Sequence, residues 1–261
     1  MSTVVERRGA RRARSSARWV VAALVAFAPA AAADEPKTVA PPPSVAPAAA
    51  PPADDAPACN EQAPLPFLMR ENYVLHRATS PEDRVARKAM HQRAIRWRTE
   101  RYGYFEGFGD PAWNAKAPRD NAEKLRFMGL RVTVNRRVAP ALRCVEREIN
   151  SACADTPYTP VSLSGLRAEN TYYDGEVSNH VYGIAVDVDP EKNVCCGCVG
   201  PAARHPVCKR KASVEERMQM PRCWVTSFEK FGFYWLGHDE LEDTMHFEFL
   251  GDPSKIVKKR P

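Results

Sequence analysis

The tightest constraint on this chain is a pair of short strand-like stretches, far apart in sequence, that carry metal-binding side chains. In the first, Ile184, Val186 and Val188 alternate with Ala185, Asp187 and Asp189; in the second, Met245, Phe247 and Phe249 alternate with His246 and Glu248. A period of two is the pattern of a β-strand with one face in the core. Asp187 then leaves one strand and His246 the other, both on the side away from the core, and His180 lies just before the first strand. Two imidazoles and one carboxylate suit the borderline softness of zinc and leave a fourth position open for chemistry. His180, Asp187 and His246 are therefore the candidate metal ligands, and they bridge two neighbouring strands.

Asp243 precedes His246 by three residues, close enough to reach a water at the metal without filling a ligand position. It is the candidate general base. Glu248 is placed to orient a ligand histidine, and Ser178 to support the His180 segment. Taken singly, each residue has a plainer reading. A lone strand histidine is more often a structural hydrogen bonder, and Asp189 is either an alternative ligand or, the preferred reading, a solvated carboxylate at a strand end.

Three motifs in order, Ser164-Gly165-Leu166-Arg167, Ser178-Asn179-His180-Val181-Tyr182-Gly183-Ile184-Ala185-Val186-Asp187 and Asp243-Thr244-Met245-His246-Phe247-Glu248, resemble the zinc D,D-peptidase family of cell-wall enzymes. That family includes vancomycin-resistance carboxypeptidases and phage L-alanyl-D-glutamate endopeptidases. The middle motif meets the family pattern Ser-x-His-x-x-Gly-x-Ala-x-Asp at every fixed position, and the likeness runs over about residues 125 to 250. It implies a fold, an α+β domain with a small antiparallel sheet flanked by helices (D,D-peptidase/hedgehog-like). It also implies Zn2+ as cofactor, and Arg167 as the group that steadies the scissile carbonyl as it becomes an oxyanion. Leu166 stands where tyrosine is usual, and Met245 where an aromatic residue is common. Asp243 stands where the vancomycin-resistance enzymes carry glutamate, as in the endopeptidase branch.

The activity so implied is hydrolysis of peptidoglycan stem peptides, first as a D-alanyl-D-alanine carboxypeptidase and second as an L-alanyl-D-glutamate or crosslink endopeptidase. A wall-binding module that keeps the fold without turnover is the alternative of a different class. An intact Asp243 speaks against it, because a pure binder needs no base beside a ligand histidine.

The N-terminus predicts export. Residues 1 to 33 carry six arginines, then the apolar run Trp19 to Ala28 and the alanines Ala30 to Ala33, the layout of a secretory signal with an Ala-x-Ala cleavage site. The run is short of the ~20 residues a membrane span needs. The expected location is periplasmic or secreted, with no stable span after cleavage. This segment accounts for +5 of the formal +6 charge, so the remainder is nearly neutral and nothing calls for nucleic acid as a partner. Residues 34 to 58, rich in proline and alanine, read as an extended tether, and 59 to 261 as one domain.

Within that domain, 59 to 124 read as a mainly helical part and 125 to 250 as the core that bears the motifs. Ser80-Pro81-Glu82-Asp83 opens a helix that Gly103 closes, with Arg93, Arg96, Arg98 and Arg101 read as its solvated face. Tyr102, Tyr104, Phe105 and Phe108 read as core. Strands are expected at Leu130 to Val134, Val161 to Ser164 and Phe233 to Leu236, and helices at Pro140 to Asn150 and Cys223 to Phe231. Eight cysteines in an exported chain predict disulfides. Cys144 with Cys153 would close a short loop, the five from Cys195 to Cys223 would staple the stretch between the metal motifs, and Cys59 would join one of those. A structural zinc on Cys195, Cys196, Cys198, His205 and Cys208 is the rival use.

Overall fold

The computed structural model describes residues 58–172 and 175–258. The expected leader, and the proline-alanine stretch but for Ala58, lie outside the described residues. No helix among the described residues is long and apolar enough to cross a membrane.

Helix α1 (Pro81–Tyr102) starts where the sequence signals it. The Ser80 hydroxyl accepts the Asp83 N–H, Pro81 takes the first turn, and Gly103 ends the helix. Hairpin strands β1 (Ala122–Phe127) and β2 (Leu130–Asn135) follow, pairing Phe127 with Leu130 and Ala122 with Asn135. Helix α2 spans Ala139–Ala152, β3 is Leu163–Ser164, and β4 is Ala185–Val188. Helix α3 (Arg222–Lys230) leads into β5 (Phe233–Trp235), and β6 is His246–Phe249. The second sheet has the order β3-β4-β6-β5 and is antiparallel throughout. The chain is thus α+β with small antiparallel sheets, as expected.

The main core lies between this sheet, the hairpin and helices α2 and α3. Val186, Phe247 and Phe249 point into it, with the Phe228 ring of α3 stacked on Phe247 at 4.0 Å between centroids. Each aromatic buried in this way is worth roughly 2–3 kcal/mol. The opposite face of the sheet is covered as well. Leu68, Tyr73 and Ala94 form a second cluster with Tyr234 and Leu250. The helical N-terminal part therefore buttresses the sheet, and every residue of β4 and β6 is buried.

Two expectations change here. Arg98 is not on a solvated face: it is wholly buried, donating to the Leu68 carbonyl (3.1 Å) and the Tyr73 hydroxyl (3.3 Å). The α1 face that packs on the domain is Ala94, Arg98, Thr99 and Tyr102. That stripe cannot be told from the outer one in so polar a helix. The cysteines also pair differently, as Cys59–Cys144, Cys153–Cys223, Cys195–Cys198 and Cys196–Cys208. Cys144 lies within α2 and Cys153 caps its C-terminal end, and each reaches a distant partner, while the four cysteines from 195 to 208 close on themselves. With both their sulfurs and those of Cys195 and Cys196 in disulfides, Cys198 and Cys208 leave no thiolate for a structural zinc. His205 Nδ1 accepts the Val207 N–H instead.

Candidate metal centre

Local geometry explains the Ser-x-His-x-x-Gly spacing. Ser178 caps a single 3-10 turn (Asn179–Tyr182), its hydroxyl accepting the His180 N–H at 3.4 Å. Gly183 ends the turn in the left-handed region at φ +68°, where a Cβ would also lie 2.8 Å from the Asn135 nitrogen. The chain then enters β4, which carries Asp187 opposite His246 of β6. The Ser-Gly-x-Arg segment is shaped by an equally close approach: a Cβ on Gly165 would stand 2.2 Å from the Thr133 carbonyl oxygen. The Gly165 carbonyl in turn lies 2.6 Å from His180 Nδ1.

The three expected ligands converge. His180 Nε2 is 3.1 Å from Asp187 Oδ1 and 3.1 Å from His246 Nδ1, and His246 Nδ1 is 2.8 Å from Asp187 Oδ1. All three residues are at most 3 % exposed. Their far ends are already committed. His180 Nδ1–H donates to the Gly165 carbonyl, and His246 Nε2–H to Glu248 Oε1 at 3.1 Å. The inward atoms are therefore three lone-pair donors packed within 3.1 Å, an arrangement that repels itself unless a cation or a proton sits among them. Bonds of about 2.0–2.1 Å at tetrahedral angles space ligand atoms by roughly 3.3 Å. The donor set fits zinc in number, type and spacing.

The electrostatics fit the same view. Burial pushes the Asp187 carboxyl up, but the two imidazoles outweigh it and hold the group well below the usual carboxylate range. Burial opposes charge on His246 too, yet its hydrogen bonds to Asp187 and Glu248 raise it to about 10. His180, dominated by burial, falls below its ordinary value. In the protein's own field the single proton at the centre belongs to His246.

Around the triangle, Arg167 donates to Asp187 Oδ2, the oxygen that the histidines do not use, and to Ser164 Oγ at 3.5 Å. Its side chain is 37 % exposed, so the centre opens on this side. Asp243 is buried, and its Oδ1 has no hydrogen-bond partner. Burial, with Asp187 nearby and partly offset by His246, pushes its carboxyl up to about 7. The Asp243 loop is held from outside by the cysteine-rich stretch. Cys196 N–H donates to the Glu242 carbonyl (3.3 Å), Gly197 N–H to the Leu241 carbonyl (2.7 Å), and Thr244 Oγ1 to the Val194 carbonyl (3.2 Å). The sulfurs of Cys195 and Cys198 come within 4.8 Å of a carboxylate oxygen of Asp243, but the disulfide withholds both from a metal.

Asp189 differs from its expectation. It is buried at φ +43° and accepts from Tyr158 Oη (2.6 Å) and the Val161 and Ser162 amides (both 2.7 Å). It is a structural hub behind β3, neither solvated nor among the converging ligands. Two neighbours had no signal in the motifs. Tyr172 is half-buried, and desolvation of its phenol, with the charges of Glu248 and Asp243 nearby, holds it well above its ordinary range. Arg98, buried in the N-terminal helix, helps keep Glu248 ionised.

Residues 173–249 match a family model described as D-alanyl-D-alanine carboxypeptidase. The matched stretch contains His180, Asp187, Asp243, His246 and Glu248 and upholds the resemblance read from the motifs. Neither the curated proteins nor the solved structures give a match to this chain.

Proposed function

Starting from a metallopeptidase of the zinc D,D-peptidase family, we propose that this protein hydrolyses peptidoglycan stem peptides, removing the terminal D-alanine from D-Ala-D-Ala ends. His180, Asp187 and His246 would hold the metal. A zinc ion there supplies the Lewis acidity that activates water and polarises a peptide carbonyl. Asp243 takes a proton from the attacking water and returns it to the leaving amine, and a carboxyl raised to about 7 by burial is matched to both halves of that exchange. Arg167 fixes Asp187 through Oδ2 and offers its remaining N–H groups to the oxygen on which negative charge develops. Glu248 holds His246 in the tautomer that presents Nδ1 inward.

The observation that carries this reading is the unpartnered buried oxygen of Asp243, a carboxyl that feels the charges of His246 and Asp187, together with the three convergent donors. A buried carboxylate oxygen without a partner is costly in a merely structural role. Four disulfides fit action outside the cytoplasm.

The test is mass spectrometry of muropeptides treated with the zinc-loaded protein, with a chelated sample and an Asp243→Ala variant as controls. Loss of one D-alanine only with the intact, metal-loaded protein is the expected result. A cut at L-Ala-D-Glu or at a crosslink would replace it with the endopeptidase reading, and no product despite bound zinc would sink the enzymatic one.

A further inference from the structure

A groove of about 420 Å3 runs between the hairpin and the outer edge of β3, lined by Lys124, Arg131, Thr133, Leu163, Ser164 and Gly165 among others. It adjoins the metal centre, because Ser164 pairs with Asp187 across β3 and β4. The register of the hairpin decides its charge. Lys124 faces Thr133 and Arg126 faces Arg131, so all four side chains share the outer face, while Phe127, Val132 and Val134 are buried on the other. Glu123 is on that other face and is bound to Arg143 at 2.6 Å. Arg126 donates to the Gly129 carbonyl. Lys124 and Arg131 are both exposed, and among the described residues neither has an acidic partner. As diagonal neighbours on an antiparallel pair they stand roughly 7–8 Å apart at the backbone, a spacing that lets two long side chains close on one anion.

The groove also offers backbone. The Asp189 N–H donates to the Ser162 carbonyl, which makes Ser162 and Ser164 the hydrogen-bonded positions towards β4 and leaves the Leu163 amide and carbonyl turned outward across the groove. An extended peptide can pair with such an edge.

We propose that this groove is a substrate subsite, in which the β3 edge holds an extended peptide while Lys124 and Arg131 bind a free carboxylate carried two residues to the amino side of the residue pair whose bond is cut. It rests on the stem-peptide reading and deepens it: a peptide joined through a γ-glutamyl bond carries such a carboxylate on its main chain, and an amidated one does not. The subsite selects between them.

Binding to the zinc-loaded Asp243→Ala protein separates this subsite from turnover. The probes are L-Ala-γ-D-Glu-L-Lys-D-Ala-D-Ala with the glutamyl α-carboxylate free and the same peptide as its carboxamide, titrated calorimetrically. The expected result is roughly tenfold tighter binding of the free carboxylate, a preference that shrinks with salt. Adding Lys124→Gln and Arg131→Gln, both exposed and outside the core, should abolish the preference and leave the carboxamide affinity unchanged. Equal affinities in the parent protein, a preference that survives the two substitutions, or no binding of either peptide would overturn the subsite. Turnover by the protein with Asp243 intact tests the parent reading separately. An inactive protein that still prefers the free carboxylate would lose its proposed chemistry and keep this site.

Discussion

The disulfides allow stability and activity to be pulled apart. Cys59–Cys144 closes a loop of 85 residues' separation, and Cys195–Cys198 one of only 3. Loop-closure entropy in the unfolded chain then assigns about 4.6 kcal/mol to the first bridge and about 1.9 kcal/mol to the second at 25 °C. In a domain of this size each kcal/mol moves Tm by about 2–4 °C. Replacing Cys59 and Cys144 by serine should therefore lower Tm by roughly 10–18 °C, and replacing Cys195 and Cys198 by roughly 4–7 °C. Activity should rank the other way. The second bridge lies against Asp243, and its loop makes the backbone bonds to Leu241 and Glu242 that hold the base. A shift of about 1 Å there can cost on the order of a hundredfold in kcat, whereas the first bridge ties Cys59 to α2 away from the centre. The assay is scanning calorimetry at fixed zinc concentration, paired with kcat well below either Tm. A larger Tm loss from the short bridge, or equal kcat in the two variants, would refute the reasoning.

Other perturbations bear on the centre and its support. Glu248→Gln removes the charge that holds His246 Nε2–H and should weaken zinc binding roughly 10–100-fold; competition with a chromophoric chelator reads this, and an unchanged Kd would discount Glu248. In the metal-free protein His246 is raised from 6.5 to about 10, so its contribution to stability is complete below pH 6.5 and fades as pH rises through about 10. Zinc must displace that proton, and titration at pH 8 in buffers of different ionisation enthalpy should show about one proton released per ion; no release would contradict the assigned proton. Asp189→Ala strands the Tyr158 hydroxyl and the Val161 and Ser162 amides and should cost roughly 3 kcal/mol. Asp189→Asn, which tolerates positive φ, should cost markedly less in denaturant unfolding, and equal losses would deny Asp189 its hub role.

Sequence alone determined what is local. The capped turn, the left-handed Gly183 and the period-two strand that deliver His180 and Asp187 are all written within ten consecutive residues. The alternation around His246 and the cap at Ser80 are equally short-range. Tertiary structure decided whatever depends on what covers a surface or which partner arrives from far along the chain. Every residue of β4 and β6 is buried, with the N-terminal part packed on Tyr234 of β5 and on Leu250 just beyond β6, and that same packing takes Arg98 from an apparent solvated stripe into the interior. Asp189 is a hub only because β3 and Tyr158 close over it. Cys144 bonds Cys59 rather than Cys153 because the helix that carries Cys144 and is capped by Cys153 rises about 1.5 Å per residue, which sets the two roughly 13 Å apart, beyond the ~7 Å a disulfide can span. Nearness in sequence keeps them apart there, and only the packed fold brings their partners within reach.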